Sequence, residues 1–301
     1  MKIVVGGYIV GYPLGGMTWH HLNYLLGLKS LGHDVTFLED GAFLPPFNPI
    51  HNSKGDPTYG IEYLKKSFEQ CDMNIPWHYR YGNFSAGLSI DETKSKLAEA
   101  DLFIAVSGIT PIEWYDLPKR SLVIDTDPVY TQARLVSDAN FKSYYAAFTH
   151  RATFARLINS ADCRLPTADL TWIPTNQPID LNHWPTYHLK RNAHLATVGK
   201  WEHASDRMIE LNGKKIASNK STEFEKVITL PARSGASIEM RMAGLPDEVA
   251  SRFEQNGWII ADAFEASRDP SAYQSWIRDS LGEFTVIKSL YAAEPSGWFS
   301  D

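Results

Sequence analysis

The sequence predicts an α/β chain built as two doubly wound units in succession. Three observations predict it. Short apolar runs alternate with helical spacings through the first 171 residues. Prolines then punctuate residues 172–187, and a second alternating series follows. Strand and helix patterns in alternation imply parallel sheets with helices packed on them.

The elements come in order. Ile3, Val4 and Val5 form a short apolar run, as a buried parallel strand would. Gly6 and Gly7 break it, and Gly15 and Gly16 precede Thr18, an expected N-cap. Trp19, Leu22, Leu25, Leu26 and Leu28 recur at helical spacing, with Gly32 as the stop. Val35, Phe37 and Leu38 resume a strand that ends at Glu39 and Asp40. Ile61, Leu64, Phe68 and Cys71 share a helix face. Ser89 and Glu92 have the spacing of a capping box for a helix running to Ala100. Residues 102–106 and 122–124 are apolar strands, ending at Ser107-Gly108 and at Asp125.

Pro174, Pro178 and Pro185 mark a domain linker from Trp172 to Tyr187. Beyond it, residues 195–198 form a strand ending at Gly199. Phe224, Val227 and Ile228 lie on a short helix, and Ile238, Met240 and Met242 alternate as a strand. Residues 246–256 are helical and 258–261 a strand. Asp269 caps a helix begun by Pro270, and residues 284–287 form the last strand.

Bulk composition narrows the function. The 301 residues suggest two domains, at roughly 100–200 residues each. A hydrophobic content of 44% supports a packed core rather than a disordered chain. The net charge of −6, with both signs interspersed, argues against a nucleic-acid partner. Cys71 and Cys163 are too few for a disulfide scaffold, and the first residues lack a continuous apolar run. The expected setting is cytoplasmic, with peripheral membrane contact left open. The glycines do not match Gly-x-Gly-x-x-Gly, which counts against an NAD-dependent oxidoreductase. The lack of Gly-x-Ser-x-Gly counts against an α/β-hydrolase.

Four segments together resemble a bacterial group of GT-B glycosyltransferases. They are Lys2-Ile-Val-Val-Gly-Gly with Gly15-Gly16 and Gly32-His-Asp-Val35; Trp172-Ile-Pro-Thr-Asn-Gln-Pro178 with Trp184-Pro185; Ala196-Thr-Val-Gly-Lys-Trp201; and Gly282-Glu-Phe-Thr-Val-Ile-Lys288 with Ser296-Gly-Trp-Phe-Ser-Asp301. The resemblance spans essentially the whole chain and identifies no particular sugar. It implies two Rossmann-like domains facing a cleft: residues 1–187 on the acceptor side and 188–301 binding the nucleotide sugar. In such proteins the segment ending at Asp301 leads into a further helix and strand. The second domain is therefore expected to be incomplete, and the 301-residue form impaired.

The resemblance also implies where the chemistry lies. The donor is a nucleoside diphosphate sugar, with no other cofactor. No compact His, Cys and carboxylate cluster suggests a metal. Gly199 and Lys200 would border the diphosphate, as would Lys288, Ser296, Gly297, Ser300 and Asp301. Their alternative is an ordinary turn, a solvated lysine and a ragged terminus. Asp262 would meet the base or ribose and Glu283 a hydroxyl; either could instead face solvent. The base that deprotonates the acceptor hydroxyl is sought in His20, His21 or Asp127. One of the two histidines is expected to point inward and the other to be solvated. Asp127 could instead cap the segment that begins at Pro128. Gly7, Gly15 and Gly16 would allow close approach of the acceptor, or simply make tight turns.

Two other functions compete with transfer of a sugar to an unknown acceptor. One is a non-catalytic binding protein with a degenerate donor site, and the other a nucleotide-sugar epimerase of the same architecture. Donor hydrolysis with and without acceptor separates transferase from epimerase; calorimetric nucleotide binding separates the transferase from a degenerate binding protein.

Overall fold

The computed structural model describes residues 1–186, 194–201 and 208–299. They form two compact units, Met1–Pro185 with Ser296–Phe299, and Thr186–Pro295. Residues 296–299, expected in the second unit, thus belong to the first. The Leu157 N–H donates to the Ser296 carbonyl (2.9 Å). A Cβ on Gly297 would lie 2.8 Å from Leu157 and 3.0 Å from Arg156.

The first unit contains β1 (Lys2–Gly6), α1 (Gly15–Ser30), β2 (Asp34–Asp40), α2 (Thr58–Gln70), β3 (Trp77–Tyr81), β4 (Phe84–Gly87) and α3 (Ile90–Glu99). It continues with β5 (Leu102–Val106), β6 (Ser121–Asp125), α4 (Tyr130–Ser137), α5 (Ala139–Ala146), β7 (His150–Thr153) and β8 (Ile173–Pro174). Its eight-stranded sheet runs β8-β7-β6-β5-β1-β2-β3-β4. All pairs are parallel except the β3–β4 hairpin. β1 lies between β2 and β5, so the chain leaves it in one direction and returns on its other side. In open α/β sheets ligands bind outside the carboxyl end of the strand where such a reversal occurs.

Local signals place several ends. Ser89 and Glu92 form the capping box at α3, and Gly32 takes φ +80° after α1. Thr18 is not an N-cap: α1 starts earlier, Gly15 and Gly16 are its first residues, and Leu14 stands at the cap position with no side-chain bond. The expectation for the histidine pair also needs correction. Residues 18–26 are buried without a break, so α1 has no solvent face there and neither histidine is solvated (His20 6% exposed, His21 0%).

The cover over α1 is the segment read as a linker. Ile173 and Pro174 pair with β7 as the sheet's edge strand. Gln177 Nε2 donates to the His20 carbonyl (2.9 Å), and the Asp180 N–H donates to Asn23 Oδ1 (2.9 Å). Trp184 meets Trp19 edge to face with centroids 4.9 Å apart, a geometry worth about 0.5–1.5 kcal/mol beyond its buried area. Residues 173–184 are therefore a strap of the first unit.

The second unit holds β9 (Leu195–Lys200), a hairpin of β10 (Met208–Leu211) and β11 (Lys214–Ala217), α6 (Ser221–Glu225), α7 (Leu230–Ser234), β12 (Ile238–Ala243) and α8 (Asp247–Gln255). Then come β13 (Trp258–Ile260), α9 (Ala263–Ser267), α10 (Pro270–Asp279), β14 (Gly282–Glu283) and α11 (Ser289–Ala292). The parallel sheet runs β13-β12-β9-β14. Ile238, Met240 and Met242 point to one face and bury with Trp201, Phe224, Phe253, Trp258 and Val286. Glu239 and Arg241 take the other face and pair at 2.7 Å. The last strand, expected at 284–287, comes two residues early and is short. After Phe284 N–H donates to the Ala196 carbonyl (3.0 Å), the chain turns Val286 into the core. Among the described residues, no helix is long and apolar enough to cross a membrane.

Candidate functional site

The carboxyl ends of β1, β5 and β6 gather one set of polar groups in the first unit. Gly6 and Gly7 close β1, and the next turn runs across His21. Its Nδ1 lies 2.9 Å from the Met17 carbonyl, and its Nε2 lies 3.2 Å from the Tyr8 backbone N. The neutral form with its proton on Nδ1 satisfies both contacts, since an N–H must donate to the carbonyl and the Tyr8 N–H needs an acceptor. Both nitrogens are committed, so His21 shapes the loop and is not poised to take a proton. Gly7 is glycine for the same reason: a Cβ there would lie 2.3 Å from the His21 ring. Gly7→Ala is expected to displace that ring and cost about 1–3 kcal/mol by overpacking. Chemical denaturation measures it; an unchanged midpoint would show that the ring has room to move.

His20 lies behind the loop. Its ring packs at 5.0 Å from His21 and 6.2 Å from Tyr24 and Phe154. Gly15 and Gly16, in the first turn of α1, are helical rather than a loop of their own.

At the end of β5, Ser107 and Gly108 both take the left-handed conformation (φ +64° and +60°). A Cβ on Gly108 would meet the Tyr145 hydroxyl at 2.7 Å. Ser107 Oγ bonds Thr126 Oγ1 at 2.8 Å, joining this turn to the end of β6. There Asp125 is buried (1% exposed) and accepts four bonds. They come from Thr131 Oγ1 and Thr153 Oγ1 (2.7 Å each), Gln132 Nε2 (2.8 Å) and the Asp127 N–H (3.1 Å). Burial pushes the Asp125 carboxyl above its ordinary value, although all four donors favour the anion. Asp127 follows, half-buried, and its carbonyl accepts the Thr131 N–H at the start of α4.

Val129 marks the same turn. It is wholly buried and β-branched, yet sits at φ +73°, ψ −55°. Such a conformation costs on the order of 1–3 kcal/mol and persists only when its surroundings impose it. They do: the Val129 N–H donates to Gln132 Oε1 (2.7 Å), whose amide is itself held by Asp125. Nothing local in the sequence signals this. Trp114 is 1% exposed and donates its ring N–H to Asp40 (2.7 Å).

The second unit gathers another set where β9 ends. Lys200 is exposed at its last position. A Cβ on Gly199 would lie 3.5 Å from Lys220 Nζ. The ammonium of Lys220, twenty-one residues along the chain, therefore stands over the end of β9. Sequence reasoning missed it because the β10–β11 hairpin separates the two. The Lys288 segment comes to the same place: the Ser289 N–H donates to the Asn219 carbonyl (3.3 Å) and Ser289 Oγ to Glu223 (2.7 Å). Lys288 Nζ lies 5.7 Å from the centre of the Tyr291 ring.

Other expected donor residues lie elsewhere or have other work. Asp262 caps α9, accepting from the Phe264 and Glu265 N–H groups (2.6 and 3.1 Å). Glu283 is exposed and accepts from the Thr285 hydroxyl. Ser296 is buried and Gly297 exposed, both in the first unit, where the Ser296 Oγ accepts the Trp298 N–H. Ser300 and Asp301 lie outside the described residues.

Two solved structures share this fold. One is an alpha-glucosyltransferase in complex with UDP and a 13-mer DNA containing a central A:G mismatch. It aligns at TM-score 0.51 and 12% identity, over 93% of this chain and 70% of that one. The other is an alpha-glucosyltransferase in complex with UDP and a 13-mer DNA containing a HMU base, at TM-score 0.52 and 13% identity, over 94% and 71%. The protein has an α/β fold resembling GT-B glycosyltransferases, with two domain-like regions. No family model matches the chain, and no curated protein matches it in sequence. The expectation of no nucleic-acid partner is overturned, because both structures hold DNA on this fold. A net charge of −6 is a sum over the whole surface and does not describe the local field that a phosphate backbone meets.

Proposed function

We propose that the protein is a glycosyltransferase that takes its sugar from a nucleoside diphosphate donor held by the second unit. The observation that carries this is the Lys220 ammonium over Gly199 at the carboxyl end of β9, in a fold shared with UDP-bound glucosyltransferases. A leaving diphosphate develops negative charge, and a fixed cation aimed at it stabilises the transition state more than the ground state. Lys200 and Lys288 add positive charge nearby. No step in this reading needs a metal.

On the acceptor side, the engaged nitrogens of His21 leave His20 and Asp127 as candidate bases. We favour Asp127, because it is half-buried at a strand end while His20 lies under the strap. Nucleic acid now stands among the acceptors to test, beside carbohydrates and lipids.

The test is calorimetric titration of UDP, GDP and ADP into the wild type and Lys220→Ala. At least one nucleotide should bind the wild type, and the variant should bind it about ten-fold more weakly, or about 1.4 kcal/mol. Melting temperatures should agree. If no nucleotide binds, the donor assignment is wrong. Hydrolysis of the matching nucleotide sugar, with and without DNA or oligosaccharide, then separates a transferase from an epimerase.

A further inference from the structure

The turn that follows β1 is held by a side chain from the neighbouring strand. Glu39, on β2 and 1% exposed, accepts three successive backbone N–H groups. Its Oε2 accepts from Ile9 (2.7 Å) and Val10 (2.8 Å), and its Oε1 from Gly11 (2.6 Å). No cation pairs with it among the described residues. The loop is closed from its other side as well, since a Cβ on Gly60 of α2 would lie 2.4 Å from the Val10 carbonyl oxygen. Ile9 and Val10 are themselves wholly buried.

Three N–H groups converging on one point form a concavity suited to an anion. The chain fills it with its own carboxylate instead of leaving it for a ligand. The loop between β1 and α1 therefore does not bind an anion at 9–11; it is given a fixed shape there. The same loop carries Gly7 and Tyr8 across His21 and leads into Gly15 and Gly16 at the start of α1.

We propose that Glu39 is a positioning residue, which sets the acceptor-side loop through the backbone N–H groups of Ile9, Val10 and Gly11. The role of the loop rests on the glycosyltransferase reading; the hold on the loop does not. The hold depends on reach and on acceptor count together. Aspartate at this position keeps the charge but falls one methylene short. Glutamine keeps the reach but turns one accepting oxygen into a donor facing another donor.

The experiment is amide hydrogen exchange on the full chain at pH 8, comparing the wild type with Glu39→Asp and Glu39→Gln. UDP affinity and UDP-glucose turnover are measured beside it. A hydrogen bond to a charged group corresponds to about a ten- to hundred-fold effect. The amides of Ile9, Val10 and Gly11 should therefore exchange at least about ten-fold faster in both variants. Those of Phe103, Ile104 and Val106 should keep their rates. UDP affinity should hold while turnover falls about ten-fold, the split expected when an element is misplaced without touching the donor. Unchanged exchange at 9–11 in both variants overturns the proposal. So does acceleration in β5 equal to that in the loop, or a fall of UDP affinity in step with turnover, since either marks general loosening. If neither variant folds, the wild type decides: the three amides must exchange at least about a hundred-fold slower than an unstructured chain, and free exchange overturns the hold. If the wild type binds none of UDP, GDP and ADP, the glycosyltransferase reading fails while the exchange result still judges Glu39.

Discussion

Asp125→Ala is expected to destabilise the first unit by about 3–5 kcal/mol. The substitution removes the common acceptor of Thr131, Thr153, Gln132 and the Asp127 N–H. Each donor left buried without a partner costs about 1–3 kcal/mol, and the costs are not additive because the donors can turn toward one another. One effect works the other way. Burial pushes this carboxyl above its ordinary value, so the ionised group carries a desolvation cost that alanine recovers. Four orphaned donors and a cavity outweigh that recovery. The Gln132 amide would also lose its anchor, and with it the bond that holds Val129 at positive φ. At about 2–4 °C per kcal/mol for a unit of this size, melting should fall by roughly 10 °C. Asp125→Asn, which retains one acceptor oxygen, should fall by less than half as much. A loss below about 1 kcal/mol in Asp125→Ala would mean that the hydroxyls find other partners and that the turn is not held from Asp125.

The second large effect is in pH. The carboxyl of Glu39, ordinarily near 4.5, is pushed up to about 7. Burial is the main cause, opposed by the three backbone N–H groups and aided by the neighbouring Asp40 charge. The folded chain then binds this proton more tightly than the unfolded chain does. Its contribution to stability is fully present below about pH 4.5 and is lost as pH rises through about 7. The difference of about 2.5 in pKa corresponds to about 3 kcal/mol. Asp125 is shifted in the same direction, so the wild type carries both slopes. Subtraction isolates one of them. The stability of Glu39→Gln relative to the wild type should rise by up to about 3 kcal/mol between pH 4.5 and pH 8. Urea denaturation at four or five pH values measures this. A difference that stays flat would show that the three N–H groups keep Glu39 ionised throughout, against the cost of burial.

Much of the fold was legible in the sequence because its signals are local. The β5 strand was foreseen over its full length from an uninterrupted apolar run. The Ser89 and Glu92 spacing located α3, and Asp269 before Pro270 located α10. Other elements left no local pattern. The Trp77–Tyr81 strand mixes His, Tyr and Arg with its aromatics. The two-residue edge strand at Ile173–Pro174 hides among prolines, which are tolerated at an edge because no outer neighbour needs their N–H. Continuous burial of residues 18–26 removed the polar stripe that normally shows which face of a helix is wet.

The sequence by itself determined the alternation of strands and helices, the apolar face of residues 238–242, several caps, and the strand ends near which candidate chemistry lies. Tertiary structure decided which groups meet at those ends. Glu39 reaches Ile9, Val10 and Gly11 because β2 pairs in register with β1, placing Leu38 opposite Gly6. Lys220 reaches Gly199 because the intervening chain folds into a hairpin and returns. His21 was read as a base and is tied at both nitrogens; Asp262 was read as a ligand contact and caps a helix. The physical reason is common to all of these. Helix and strand periods are written in neighbouring residues, whereas the partner of a polar side chain is set by sheet register and chain return, which join residues far apart in sequence.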